Sequence, residues 1–167
     1  MPYTPTLEVG GVRFGTDKLA HLVSSGWTYY KEYYRGISKG QTPDEAKRRA
    51  ANRGITEESL ILGKLASGVT AIGDLEANYA GMQFYFDLCD VEDPIVRLGE
   101  DGWFISRPVD LRDYVTPRWD ESYQPPIYTK KRWNRVRPVL ETYCDRLDDP
   151  QVVSMRRRYR EMDEGSM

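Results

Sequence analysis

Carboxylates, one imidazole and one amide recur in this chain at helical spacing, and any chemistry it performs would draw on them. Asp17 and His21 stand four residues apart, as do Asp74 and Asn78, so each pair shares one helix face about one turn apart. Between the two pairs, Glu57 and Glu58 close a polar stretch, and Glu58 directly precedes the apolar run Ser-Leu-Ile-Leu-Gly. A glutamate in an apolar setting holds its proton more tightly and can protonate a glycosidic oxygen, while a second carboxylate acts as nucleophile, base or stabiliser. Glu58 is the candidate acid, and Asp17 and Asp74 are candidates for the second group. Ser67 and Thr70 fall in the Ser/Gly/Thr-rich connection between them and, with His21 and Asn78, would support the site. A second reading needs no catalysis: acids favour helix N-termini, and the same residues would serve as a buried polar network.

His21 is the only histidine, which limits the alternatives. A zinc site usually draws on several His or Cys ligands, so a metal-dependent hydrolase would have to combine one imidazole with carboxylates. No resident metal or other cofactor is expected. Nucleophilic catalysis by Cys89 or Ser67 with His21 lacks the sequence context of a nucleophile elbow or a cysteine protease.

The chain has 167 residues, which suits one domain able to bury a core without staples, so Cys89 and Cys144 can pair or stay as thiols. Charged residues are 30% of the chain yet nearly cancel to a net of -2, so no overall basic field exists to attract nucleic acid. A local basic patch stands at "MRRRYR", Met155 to Arg160. The apolar runs are too short to span a bilayer, and the opening "MPYTPTLEVGG" lacks the basic and apolar blocks of a secretory signal. Twelve Tyr and four Trp against four Phe would suit a surface that stacks on sugar rings; Trp27, Tyr29, Tyr79 and Trp119 are the candidates.

The elements that would position these groups are mainly helical. Leu19, Leu22, Val23, Trp27 and Tyr30 predict a helix from Thr16, with Thr16 as its cap, after an extended lead-in of about ten residues. "TPDEAKRRAANRG" starts a second helix, in which Thr42, Pro43 and Glu45 form a capping box. "GKLASGVTAIG" reads as loop, and Asp74 opens a helix through Leu88. "IVRLGEDGWFIS" predicts one small β-hairpin. A proline-marked passage follows, then a helix over 131–147 and a charged last helix capped by Asp149 and Pro150. The expected fold class is therefore mainly α, a helical domain with one small hairpin.

Three strings resemble a group of bacterial proteins mostly of unknown function: "GTDKLAH", "SGVTAIGDLEANYAGMQFYFDL" and "TPRWDESYQPPIY", together spanning Gly15 to Tyr128. That group carries Asp-Lys-x-x-His, Ser-Gly-Val, Asp-Leu-x-x-Asn-Tyr-x-Gly and a Trp-Asn/Asp-Glu stretch. A looser form of the pattern is similar to predicted envelope lipoproteins and VanZ-like membrane proteins, and both imply the bacterial cell envelope. Separately, Glu58, Ser59, Ser67, Ala71 and Gly73 resemble, in their offsets, the catalytic region of lysozyme-like lytic transglycosylases, although "DLE" stands where that family has Leu-Met-Gln. The domain also resembles the C-terminal lysozyme domains of type VI secretion effectors. These resemblances imply a lysozyme-like α+β arrangement and cleavage of peptidoglycan glycan strands in the periplasm or envelope. They also imply an immunity protein or secretion partner, and a chain that is either whole or the C-terminal domain of a longer exported protein.

Overall fold

The computed structural model describes residues 5–56 and 68–165. Mainly helical, it carries three small antiparallel pairings. The chain opens with a hairpin, β1 (Thr6–Val9) and β2 (Val12–Gly15), in place of the expected lead-in. Gly10 and Gly11 turn it with φ of 58° and 80°, the left-handed pair that a two-residue hairpin loop requires. Val12 and Phe14 point inward from β2.

One long helical segment follows in three parts: α1 (Asp17–Ala20), a π-turn (His21–Ser25) and α2 (Gly26–Ile37). The Thr16 side chain makes no cap hydrogen bond; Asp17 alone supplies the favourable first-turn charge. In the π-turn the Gly26 N–H reaches back to the His21 carbonyl, and the Val23 carbonyl accepts from the Tyr85 hydroxyl at 2.9 Å. Lys18, Leu22, Gly26 and Tyr29, spaced by four, four and three residues, all share the buried face of this segment.

The capping box at α3 (Pro43–Thr56) forms as expected: the Thr42 N–H donates to Glu45 Oε2 at 2.8 Å, and the Glu45 N–H donates to Thr42 Oγ1 at 3.3 Å. Ala46, Ala50 and Gly54 make a smooth stripe four residues apart, which lets α3 lie close against α2. After β3 (Val69–Thr70), α4 (Ile72–Cys89) begins two residues before Asp74. Apolar residues surround α4, and it separates two buried clusters. Val12, Phe14, Leu22, Ala77, Trp119 and Tyr159 belong to the larger one; Tyr29, Ala50 and Met82 form the smaller.

The hairpin β4 (Val96–Gly99) and β5 (Gly102–Ile105) forms where its turn residues placed it. Its cross-strand neighbours Leu98 and Trp103 are both exposed. The proline-marked passage winds through single turns at Leu111–Asp113 and Pro117–Trp119, and β6 (Ile127–Tyr128) then pairs with β3. Two helices complete the chain: α5 (Lys130–Glu141), shorter than expected and followed by a tight turn at Cys144–Arg146, and α6 (Pro150–Glu164). Asp149 caps α6 by accepting from the Gln151 N–H at 2.8 Å. Cys89 and Cys144 are exposed free thiols.

Candidate functional site: a caged lysine

Three segments distant in sequence meet around one ammonium group. Lys18, on α1, is only 2% exposed, and its Nζ donates to Asp17 Oδ2 at 2.8 Å, Asp74 Oδ1 at 2.6 Å and Glu121 Oε1 at 2.7 Å. An ammonium has three N–H donors and here each has its own carboxylate, so the group is saturated. Burial alone would pull the Lys18 ammonium down, but the hydrogen bonds to Asp17, Asp74 and Glu121 more than offset that and hold it above the ordinary lysine value.

The local sequence explains how a lysine comes to lie here. Gly73 in the first turn of α4 leaves room for the stem: a Cβ there would stand 3.0 Å from Lys18 Cε and 3.2 Å from the carbonyl oxygens of Arg118 and Trp119. Glu121 is delivered by a loop fixed at both ends. Beneath it, Trp119 is wholly buried, edge-on to Phe14 of β2 at 5.0 Å. Beside it, Asp120 accepts from the Ser122 N–H at 2.8 Å and from the Tyr159 hydroxyl of α6 at 3.0 Å. That hydroxyl in turn accepts from the Arg13 N–H at 3.0 Å, tying α6, the loop and the first hairpin together.

The imidazole adjoins the cage. His21 Nδ1 lies 2.9 Å from Asn78 Oδ1, and because an amide oxygen only accepts, Nδ1 is the donor. Nε2 faces Asp74 Oδ2 at 3.6 Å, beyond good hydrogen-bond reach. Asn78 is buried, whereas His21 and Asp74 are partly accessible. An open depression of about 480 Å³, lined by Thr6, Phe14, Asp17, Lys18, Trp119 and Glu121, borders the cage.

Four of the candidate residues therefore meet: Asp17, His21, Asp74 and Asn78. Glu58 and Ser67 lie outside the described residues. Thr70 is buried on β3, paired across to Ile127, and its Oγ1 has no hydrogen-bond partner among the described residues. Of the rings chosen for stacking, Tyr29 and Trp119 are core residues with no open face, while Trp27 and Tyr79 are exposed. Lys18 and Glu121 are the two residues that residue type and spacing passed over. A signal existed for Lys18, since it stands four residues before the apolar Leu22 and so shares that residue's inward face. For Glu121 nothing short of the fold reveals the contact, because 103 residues separate it from Lys18.

Chemically, the arrangement is a cation site whose cation is the protein's own, with Lys18 buried and Asp17 and Glu121 about half exposed. The carboxylate oxygens of Asp17, Asp74 and Glu121 converge to within 4.8 Å of one another, as metal ligands would, but Lys18 Nζ stands among them. A metal bound through these oxygens would have to displace that buried ammonium. Lysine acts as a nucleophile only as a free amine, and Lys18 is held in the opposite state. Compared with known proteins, the chain matches no family model, no curated protein and no solved structure.

Proposed function

We propose that the chain is a non-catalytic binding domain of the bacterial envelope, in which the Lys18 cage is scaffold. The observation that carries this reading is saturation: every N–H of Lys18 is spent on Asp17, Asp74 or Glu121, and His21 is held by Asn78. A working acid and base need settings that differ from one another. Here the three carboxylates turn toward one ammonium. The envelope assignment rests on the resemblance carried by "GTDKLAH" and "DLEANYAG".

A second reading is a peptidoglycan-cleaving glycosidase with Glu58 as general acid. The exposed rings of Trp27 and Tyr79 favour it, since they could seat a sugar face. One experiment separates the two: purified peptidoglycan is incubated with the wild-type chain, Asp74→Asn and Glu58→Gln, and the soluble products are weighed by mass spectrometry. On the scaffold reading no chain releases sugar fragments, and Asp74→Asn melts earlier, by about 1.5–3 kcal/mol for a lost bond to a charged group. Muropeptides released by the wild type, and absent from a folded Glu58→Gln or Asp74→Asn chain, would establish the glycosidase instead.

A further inference from the structure

We infer that α5 and the turn after it form an arm that lies flat on an anionic lipid surface. α5 buries none of its residues, and every residue from Arg137 to Asp149 is exposed. Yet the segment is not uniformly polar. Trp133, Val136, Leu140, Tyr143 and Leu147 recur at alternating intervals of three and four residues; the first three form a stripe along α5, and Tyr143 and Leu147 follow in the turns after Glu141. All but Val136 are exposed large apolar side chains. Helical geometry puts Arg132 along one border of the stripe and Arg137 along the other, with Lys130 just beyond Arg137. Glu141, the one acidic residue of α5, pairs with Arg137 at 2.6 Å on the polar flank. Lys130 to Leu147 holds six basic and two acidic residues, a net of +4 in a chain whose total is -2.

An apolar stripe with arginine borders matches a helix resting in the headgroup layer, with its apolar residues among the upper acyl chains. The arginine stems are long enough to lie along the stripe while their guanidinium groups reach phosphates. Trp133, on the first turn of α5, and Tyr143, in the turn after it, are residue types that settle at the membrane interface. A second copy of the arm fits poorly, because pairing stripe to stripe would set arginine borders against arginine borders. Pro138 removes one backbone donor from α5 on the polar side, where water takes the freed carbonyl. No helix among the described residues is long and apolar enough to cross a membrane, so the contact would be peripheral. This inference holds whether the Lys18 cage is scaffold or active site.

The test is flotation of the full chain with vesicles of phosphatidylcholine alone and of an equimolar phosphatidylcholine and phosphatidylglycerol mixture. Binding to the anionic vesicles is expected, with a blue shift of tryptophan emission, and it should weaken as salt is raised. Leu140→Glu should remove it, and Arg132→Gln with Arg137→Gln should weaken it roughly thirtyfold, with melting temperatures unchanged because these side chains bury little. Failure to float with anionic vesicles would overturn the proposal, as would equal binding to neutral ones or binding indifferent to these variants. A doubled mass in solution that Leu140→Glu abolishes would instead assign the stripe to a second copy, and would overturn it too.

Discussion

Lys18 sets the energetics of the site at the scale of single residues. A buried ammonium is tolerated only while its partners stand in place, and removing one member of a buried charge set leaves the others uncompensated. Because Asp17 and Glu121 are about half exposed and water screens them, Lys18→Met strands chiefly Asp74 and is expected to lower stability by about 1–3 kcal/mol, read as a shift of the urea midpoint at constant slope. A loss under about 1 kcal/mol would mean that water already reaches the ammonium and that the cage carries little of the fold. The sequence disclosed four of the six residues of this cluster. Asp17, His21, Asp74 and Asn78 were legible because four-residue spacing on a helix is a local rule, readable without the fold. Lys18 was passed over because lysines ordinarily face water, and Glu121 because its position depends on Trp119, Asp120 and Tyr159 all being seated first.

Local rules served equally well for elements with punctuated ends. The Thr42 to Glu45 box, the Asp149 cap and the Gly-Glu-Asp-Gly turn of β4–β5 all form, each within a few consecutive residues. The β1–β2 hairpin was missed although its Gly-Gly pair is a turn signal and its strands are as long as those of β4–β5. The π-turn was illegible because it is set by the crossing with α4 and not by its own residues. There Gly26 and Gly81 meet backbone to backbone, and a Cβ on Gly81 would stand 2.0 Å from the Leu22 carbonyl oxygen. Gly81→Ala must therefore push the helices apart, at a cost of about 1–3 kcal/mol or more, although alanine is the better helix former. Thermal unfolding checks this: a Gly81→Ala chain that melts at or above the wild type would show that the crossing relaxes without cost.

At the scale of the whole molecule, several tyrosines and Lys18 favour their protonated forms. Burial, the largest cause in each case, pushes the phenols of Tyr30, Tyr114 and Tyr159 up, and Asp90, Asp87 and Asp120 respectively add to it. Tyr34, also burdened by burial and by Asp90, is pushed up to about 12. Lys18 is raised as well, against its burial, by its three carboxylates. For each of these groups the folded value exceeds the unfolded one. The stability they contribute is therefore complete below the unfolded values, near pH 10 for Tyr and 10.5 for Lys, and is lost as pH rises through the folded values. The urea midpoint should fall steeply above about pH 10, and Lys18→Met should show a shallower fall than the wild type. An alkaline limb of equal slope in both chains would exclude Lys18 from that linkage.

The hydroxyl of Tyr159 accepts a hydrogen bond from the Arg13 N–H across 146 residues, and this sets an order of events during synthesis. In a chain leaving the ribosome Val12 and Phe14 emerge more than a hundred residues before Trp119 and Tyr159, which belong to the same cluster. Until those arrive the first hairpin lacks two of its cluster partners, and Lys18 waits for Glu121. Nascent chains stalled before residue 159 should accordingly be open to proteases along their length, and resistance should arrive in a single late step once the last helix emerges.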